Sequence, residues 1–98
     1  MRFIAIFEDI ADGSAIRDEL TEAHRAFLRE NKGKMRLAGA VRETPDSAPS
    51  GGVWVFDTDT IDEADAIVRQ DPFFKAGLRA SYKLFAWGTA PGYEDVVL

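Results

Sequence analysis

Apolar residues recur along this chain at two different periods, and the switches between them mark its elements. Arg2 to Glu8 (RFIAIFE) sets Phe3, Ala5 and Phe7 against Ile4 and Ile6, the alternation of a β-strand, and stops at Asp9 and the Asp12-Gly13 turn. From Ser14 to about Lys32 the period lengthens. Ile16, Leu20, Ala23 and Phe27 fall on one stripe of an amphipathic helix, with Ser14 or Asp12 available as N-cap and Gly33 as its stop. Met35 to Arg42 (MRLAGAVR) returns to extended character, and Gly39 inside it marks a bulge or a close backbone approach. Glu43 to Gly52 (ETPDSAPSGG) reads as a long loop in which Gly51-Gly52 makes a turn. Gly52 to Asp57 is a third strand, apolar on both faces through the pairs Trp54/Phe56 and Val53/Val55.

Thr60 to Glu63 (TIDE) matches a capping box, and Ile61, Ala64, Ile67 and Val68 supply the buried stripe of the helix it opens. Pro72 disfavours helical geometry at Asp71, so that helix ends there and a short turn, Pro72 to Ala76, begins with Asp71 as its cap. Arg79 to Trp87 is a fourth strand, with Tyr82, Leu84 and Ala86 on one face and Phe85 and Trp87 on the other. Gly88 to Leu98 reads as a tail, which leaves residues 1–88 as the single domain.

Strand, helix, strand, strand, helix, strand is the split βαβ order of the ferredoxin-like α+β sandwich: a four-stranded antiparallel sheet with two helices on one face. An antiparallel sheet with one wet face should alternate apolar and polar residues, yet three of these strands are apolar on both faces. The second face therefore calls for a cover, and the simplest cover is the same face of a second copy. The expectation is a homodimer joined sheet to sheet.

Composition narrows the partners. A net charge of −5, with twelve scattered basic residues, argues against nucleic acid and anionic membranes, whose binding draws on clustered Lys and Arg. The absence of cysteine excludes disulfides and thiolate metal sites and suits a reducing compartment, so the cytoplasm is the expected location. The first apolar run is too short for a signal-peptide core or a membrane span.

His24 is the only histidine. It lies between Leu20 and Leu28 at the edge of the first helix's apolar stripe, where an imidazole is either a hydrogen-bonded structural group or a proton-transfer group. The segments His24-Arg-Ala-Phe27-Leu28 (HRAFL), Leu37-Ala38-Gly39 (LAG) and Asp71-Pro72-Phe73-Phe74-Lys75-Ala76-Gly77-Leu78 (DPFFKAGL), taken in order, resemble the YCII family. The resemblance covers the chain to about Trp87 and implies a dimeric α+β barrel. It also implies a His–Asp dyad made by His24 and Asp71, and proton-transfer chemistry on a small, aromatic-derived substrate by a lyase, isomerase or dehydrochlorinase. One departure stands out: Gly39-Ala40 replaces the Gly-Pro common in relatives.

In such a dyad Asp71 orients the ring and His24 acts as general acid/base, while Gly39, Trp54 and Tyr82 are the expected substrate-binding residues. Trp54, Phe56, Tyr82 and Trp87 would make an apolar pocket, with the tyrosine hydroxyl as a donor. No cofactor and no metal are expected. Each residue also has a plain structural role. Capping alone would place Asp before Pro72, and aromatic residues are ordinary core. The competing reading is a non-catalytic metabolite-binding domain in which His24 only hydrogen-bonds. A haem or metal site would have little besides His24 to build on.

Overall fold

A computed structural model describes residues 1–98. Its elements are β1 (Arg2–Asp9), α1 (Ser14–Glu30), β2 (Met35–Val41), β3 (Gly51–Asp57), α2 (Ile61–Val68), α3 (Pro72–Lys75) and β4 (Arg79–Ala86). The strands form one antiparallel sheet in the order β2-β3-β1-β4, the ferredoxin-like α+β arrangement. No helix is long and apolar enough to cross a membrane.

Register fixes which side chains meet. Phe3 pairs with Phe56 and Ala5 with Trp54 on β3, while on β4 Ala5 pairs with Leu84 and Phe7 with Tyr82. Because side chains alternate along a strand, this set shares the face towards the helices, where Phe27, Ala64, Ile67 and Val68 complete the core. The opposite face carries Ile4, Ile6, Val53, Val55 and Phe85. Ile6, Leu37 and Phe85 there are exposed, so the apolar second face read from the sequence is present.

Two glycines expected to form a turn are instead the buried first residues of β3. A Cβ on Gly51 would lie 2.1 Å from the carbonyl oxygen of Phe7, so that position admits no side chain while the strands stay paired. The capping box is half made. Thr60 Oγ1 accepts the Glu63 N–H at 3.1 Å, but the Glu63 carboxylate turns to Lys34 Nζ, 2.6 Å away. Asp71 caps α3 as expected, accepting the Phe73 N–H at 3.2 Å. The tail leaves β4 at Trp87 and reaches β2, where the Arg36 guanidinium donates to the Leu98 carbonyl at 2.9 Å.

The first helix lies differently from its apolar pattern. Phe27 is its one buried residue and Ala23, expected on the stripe, faces solvent, whereas Arg17, Thr21 and His24 turn inward. α1 packs on α3, and its N-terminal half reaches the sheet through Arg17, which donates to Asp9 and to the Gly51 carbonyl. The gap beneath it is the cavity described next.

Candidate functional site

Three connections bring the site residues together. α1 carries Arg17 and His24 two turns apart on one face, since seven residues advance about 10.5 Å and return to nearly the same angle. The turn into α3 presents Asp71, and the adjoining ends of β1 and β4 bring Asp9 beside Arg79. Between them opens a cavity of about 650 Å³.

His24 and Asp71 meet. Nδ1 of His24 lies 2.7 Å from Oδ1 of Asp71, whose side chain is wholly buried. That oxygen also accepts the Phe73 N–H, so one atom both caps α3 and holds the imidazole. Since Oδ1 is already an acceptor, Nδ1 donates to it, and the neutral ring keeps its lone pair on Nε2. Nε2 makes no hydrogen bond within the chain. The ring is fixed a second way, stacked on Phe73 at 4.1 Å between centroids and 18° between planes. His24 is therefore oriented by a carboxylate, clamped by an aromatic face and open on the cavity side.

Behind this pair runs a chain of charges that sequence reasoning did not reach. Arg79, its side chain only 2% exposed, donates to Asp9 Oδ1 at 2.8 Å and places Nη2 3.9 Å from Asp71 Oδ2. Arg17 donates to Asp9 Oδ2 through Nε at 3.2 Å and Nη2 at 2.7 Å. His24, Asp71, Arg79, Asp9 and Arg17 thus alternate along one buried line. The Arg79 guanidinium lies over the Phe7 ring at 4.4 Å, which keeps water from it without removing its counter-charges. Asp71 Oδ2 and Arg79 Nε have no hydrogen-bond partner, so the Asp71 to Arg79 link is one of charge alone.

The expected binding residues divide. Trp54 lines the cavity beneath His24, with 6.1 Å between ring centroids, and Gly39 borders it where a Cβ would meet open space. Tyr82 lies outside it. Its strand face was read correctly, but the hydroxyl reaches α2 and donates to Asp65, and its ring packs against Phe74. Phe56 is core and Trp87 lies at the far end of the sheet, so the cavity wall is far more polar than the aromatic pocket expected. No group of three or more metal-ligating side chains is assembled.

The Tyr82 hydroxyl, followed by Arg69, holds the Asp65 carboxyl below its ordinary range, and burial raises the Tyr82 phenol. A lowered folded-state value means that Asp65 contributes stability above its unfolded value of 3.8, and loses it as pH falls through the folded one. Tyr82→Phe is expected to cost about 1 kcal/mol near neutrality. It should also flatten the loss of stability between about pH 5 and pH 2, measured by urea unfolding. An unchanged acid limb would show that the hydroxyl does not act on Asp65.

A four-stranded antiparallel sheet with its helices on one face defines the ferredoxin-like α+β class. Within that class the chain belongs to the YCII family: the profile of the YCII-related domain matches residues 1–88. The chain superposes on 5-chloro-2-hydroxyhydroquinone dehydrochlorinase from Burkholderia phenoliruptrix, solved in complex with 2,5-dihydroxybenzoquinone. The TM-score is 0.83 at 26% identity, over 92% of this chain and 96% of that one. More distant likenesses show the shared fold alone. SnoaB, a cofactor-independent oxygenase from Streptomyces nogalater, gives a TM-score of 0.55 at 14% identity over 93% and 95% of the two chains. A NIPSNAP family protein from Agrobacterium tumefaciens gives 0.56 at 12%, over 93% of each. None of the curated proteins matches the chain significantly in sequence.

Proposed function

We propose that this YCII-family protein is a small-molecule enzyme that moves protons on a hydroxylated ring, with His24 as general acid/base and Asp71 as its orienting partner. The observation that carries this reading is the imidazole itself: Nδ1 bound to a buried carboxylate, the ring stacked on Phe73, and Nε2 free beside a cavity. The likeness to a dehydrochlorinase supports elimination of hydrogen chloride as the reaction to try first.

In that reaction Nε2 takes a proton from a ring hydroxyl, and the imidazolium returns it to a ring carbon. The carbon–chlorine bond then breaks and chloride leaves with the bonding pair. As a second proton is lost the ring leaves as a hydroxyquinone. The net loss is one HCl, and no outside oxidant is needed, because chloride carries away the two electrons the ring gives up. Purified protein mixed with 5-chloro-2-hydroxyhydroquinone should release chloride faster than buffer does. Release at the buffer rate would rule out this activity.

The same reading takes residues 1–88 as the catalytic domain, 89–98 as a tail, and the working protein as a cytoplasmic homodimer packed through the exposed apolar sheet face. Sedimentation equilibrium should give twice the chain mass of 10.9 kDa, and Phe85→Asp, a charge placed in that face, should halve it. A wild-type protein that sediments at the mass of one chain would contradict the dimer.

A further inference from the structure

We propose that the cavity takes its ring ligand as an anion, with an acidic ring oxygen or carboxylate held by Arg17 at one end and the reacting end facing His24 Nε2. This deepens the function proposed above and rests on its reading of the cavity as the substrate site. The chain as a whole carries −5, yet its cavity is lined by Arg17, Arg25, Arg42 and Arg79 against only Asp9 and Asp18. With Asp71 and Glu22 counted beside Arg79 and Arg25 the charges nearly balance, so what a ligand meets depends on which cations are left unpaired.

The pairing of these groups shows which charges remain available. Asp9 is fully engaged, accepting from both Arg17 and Arg79, and Arg79 is buried out of reach. Arg25 is paired at the surface with Glu22, whereas Arg42 has no ion-pair partner. Arg17 spends Nε and Nη2 on Asp9 and on the Gly51 carbonyl, and its Nη1 makes no hydrogen bond within the chain. The same face of α1 therefore offers the cavity a cationic donor, Arg17 Nη1, and a proton acceptor, His24 Nε2, with the unpaired Arg42 a second cation at the cavity's exposed rim. Two turns of helix separate Arg17 from His24, a span of the order that a six-membered ring with an oxygen at each end can bridge. A guanidinium held rigidly by a carboxylate and lying over Phe73 at 5.3 Å is a preorganised anion site.

The test compares two probes of one shape by isothermal titration at neutral pH: 2-hydroxy-1,4-naphthoquinone, which ionises as a vinylogous acid, and its 2-methoxy ether, which cannot. The hydroxy compound should bind at least about ten-fold more tightly, and added salt should erode that preference. Arg17→Gln should abolish it. Arg42→Gln, at an exposed and unpaired position, should weaken the anion's binding without disturbing the fold, which keeps the test sharp even if Arg17→Gln folds poorly. His24→Gln should retain the preference, so that loss of chemistry and loss of anion recognition are read separately. Equal binding of the two probes, binding of neither, or a preference untouched by Arg17→Gln and by salt would overturn the proposal.

Discussion

Replacing His24 with glutamine should lower turnover by about a hundred-fold to ten-thousand-fold while leaving ligand binding largely intact. Glutamine offers the cavity a polar group of similar reach that cannot cycle a proton near neutrality. His24→Phe tests the same point by another route, keeping an aromatic ring on Phe73 while removing both nitrogens. Asp71→Asn completes the set. Asparagine caps a helix about as well as aspartate, so α3 should survive, but an amide can also turn its NH2 towards Nδ1 and favour the wrong tautomer. Activity should therefore fall steeply in all three variants, with circular dichroism and melting temperature close to wild type for His24→Gln. If His24→Gln melts far below wild type, or turns over at the wild-type rate, the histidine is structural.

Arg79→Met should be the most destabilising single change in the site, at about 3–5 kcal/mol. The side chains of Arg79, Asp9 and Asp71 are all nearly or wholly buried, so removing the guanidinium leaves two carboxylates, one of them without any other cation. For a domain of this size such a loss should lower the melting temperature by well over about 10 °C. Arg25→Met, which breaks only the exposed pair with Glu22, serves as the comparison and should melt near wild type. Equal melting temperatures for the two variants would mean that the buried charge line adds nothing to the fold.

The fold was legible in the sequence because its elements are local. Period-two alternation assigned Tyr82, Leu84 and Ala86 to one face of β4, and the register with β1 places them there. Pro72 with a preceding acid marked the start of α3 and its cap. The pairing of His24 with Asp71 came from the resemblance of the HRAFL and DPFF segments, since neither periodicity nor spacing relates two residues 47 positions apart.

What the pattern hid was tertiary. Asp9 and Arg79 each stand at a strand end beside a turn, where a charge ordinarily faces water. They become buried because β1 and β4 pair there across a shift in register and the Phe7 ring covers the guanidinium. The rotation of α1 has the same origin. A stripe of Ile16, Leu20, Ala23 and Phe27 presumes an apolar surface below the whole helix, but only its C-terminal half meets one. Its N-terminal half faces a polar cavity, so Arg17, Thr21 and His24 turn inward and Ala23 outward. Tyr82 was assigned to the correct side of the sheet, and only the position of Asp65 on α2 shows that its hydroxyl meets that carboxylate.

The most direct measurement is a crystal structure of the protein with 2-hydroxy-1,4-naphthoquinone bound. The ring should lie between α1 and the sheet, with an oxygen within hydrogen-bond reach of His24 Nε2, about 2.6–3.2 Å, and Nδ1 still on Asp71. A ligand lodged elsewhere, or a His24 ring turned so that Nε2 contacts protein rather than ligand, would contradict it.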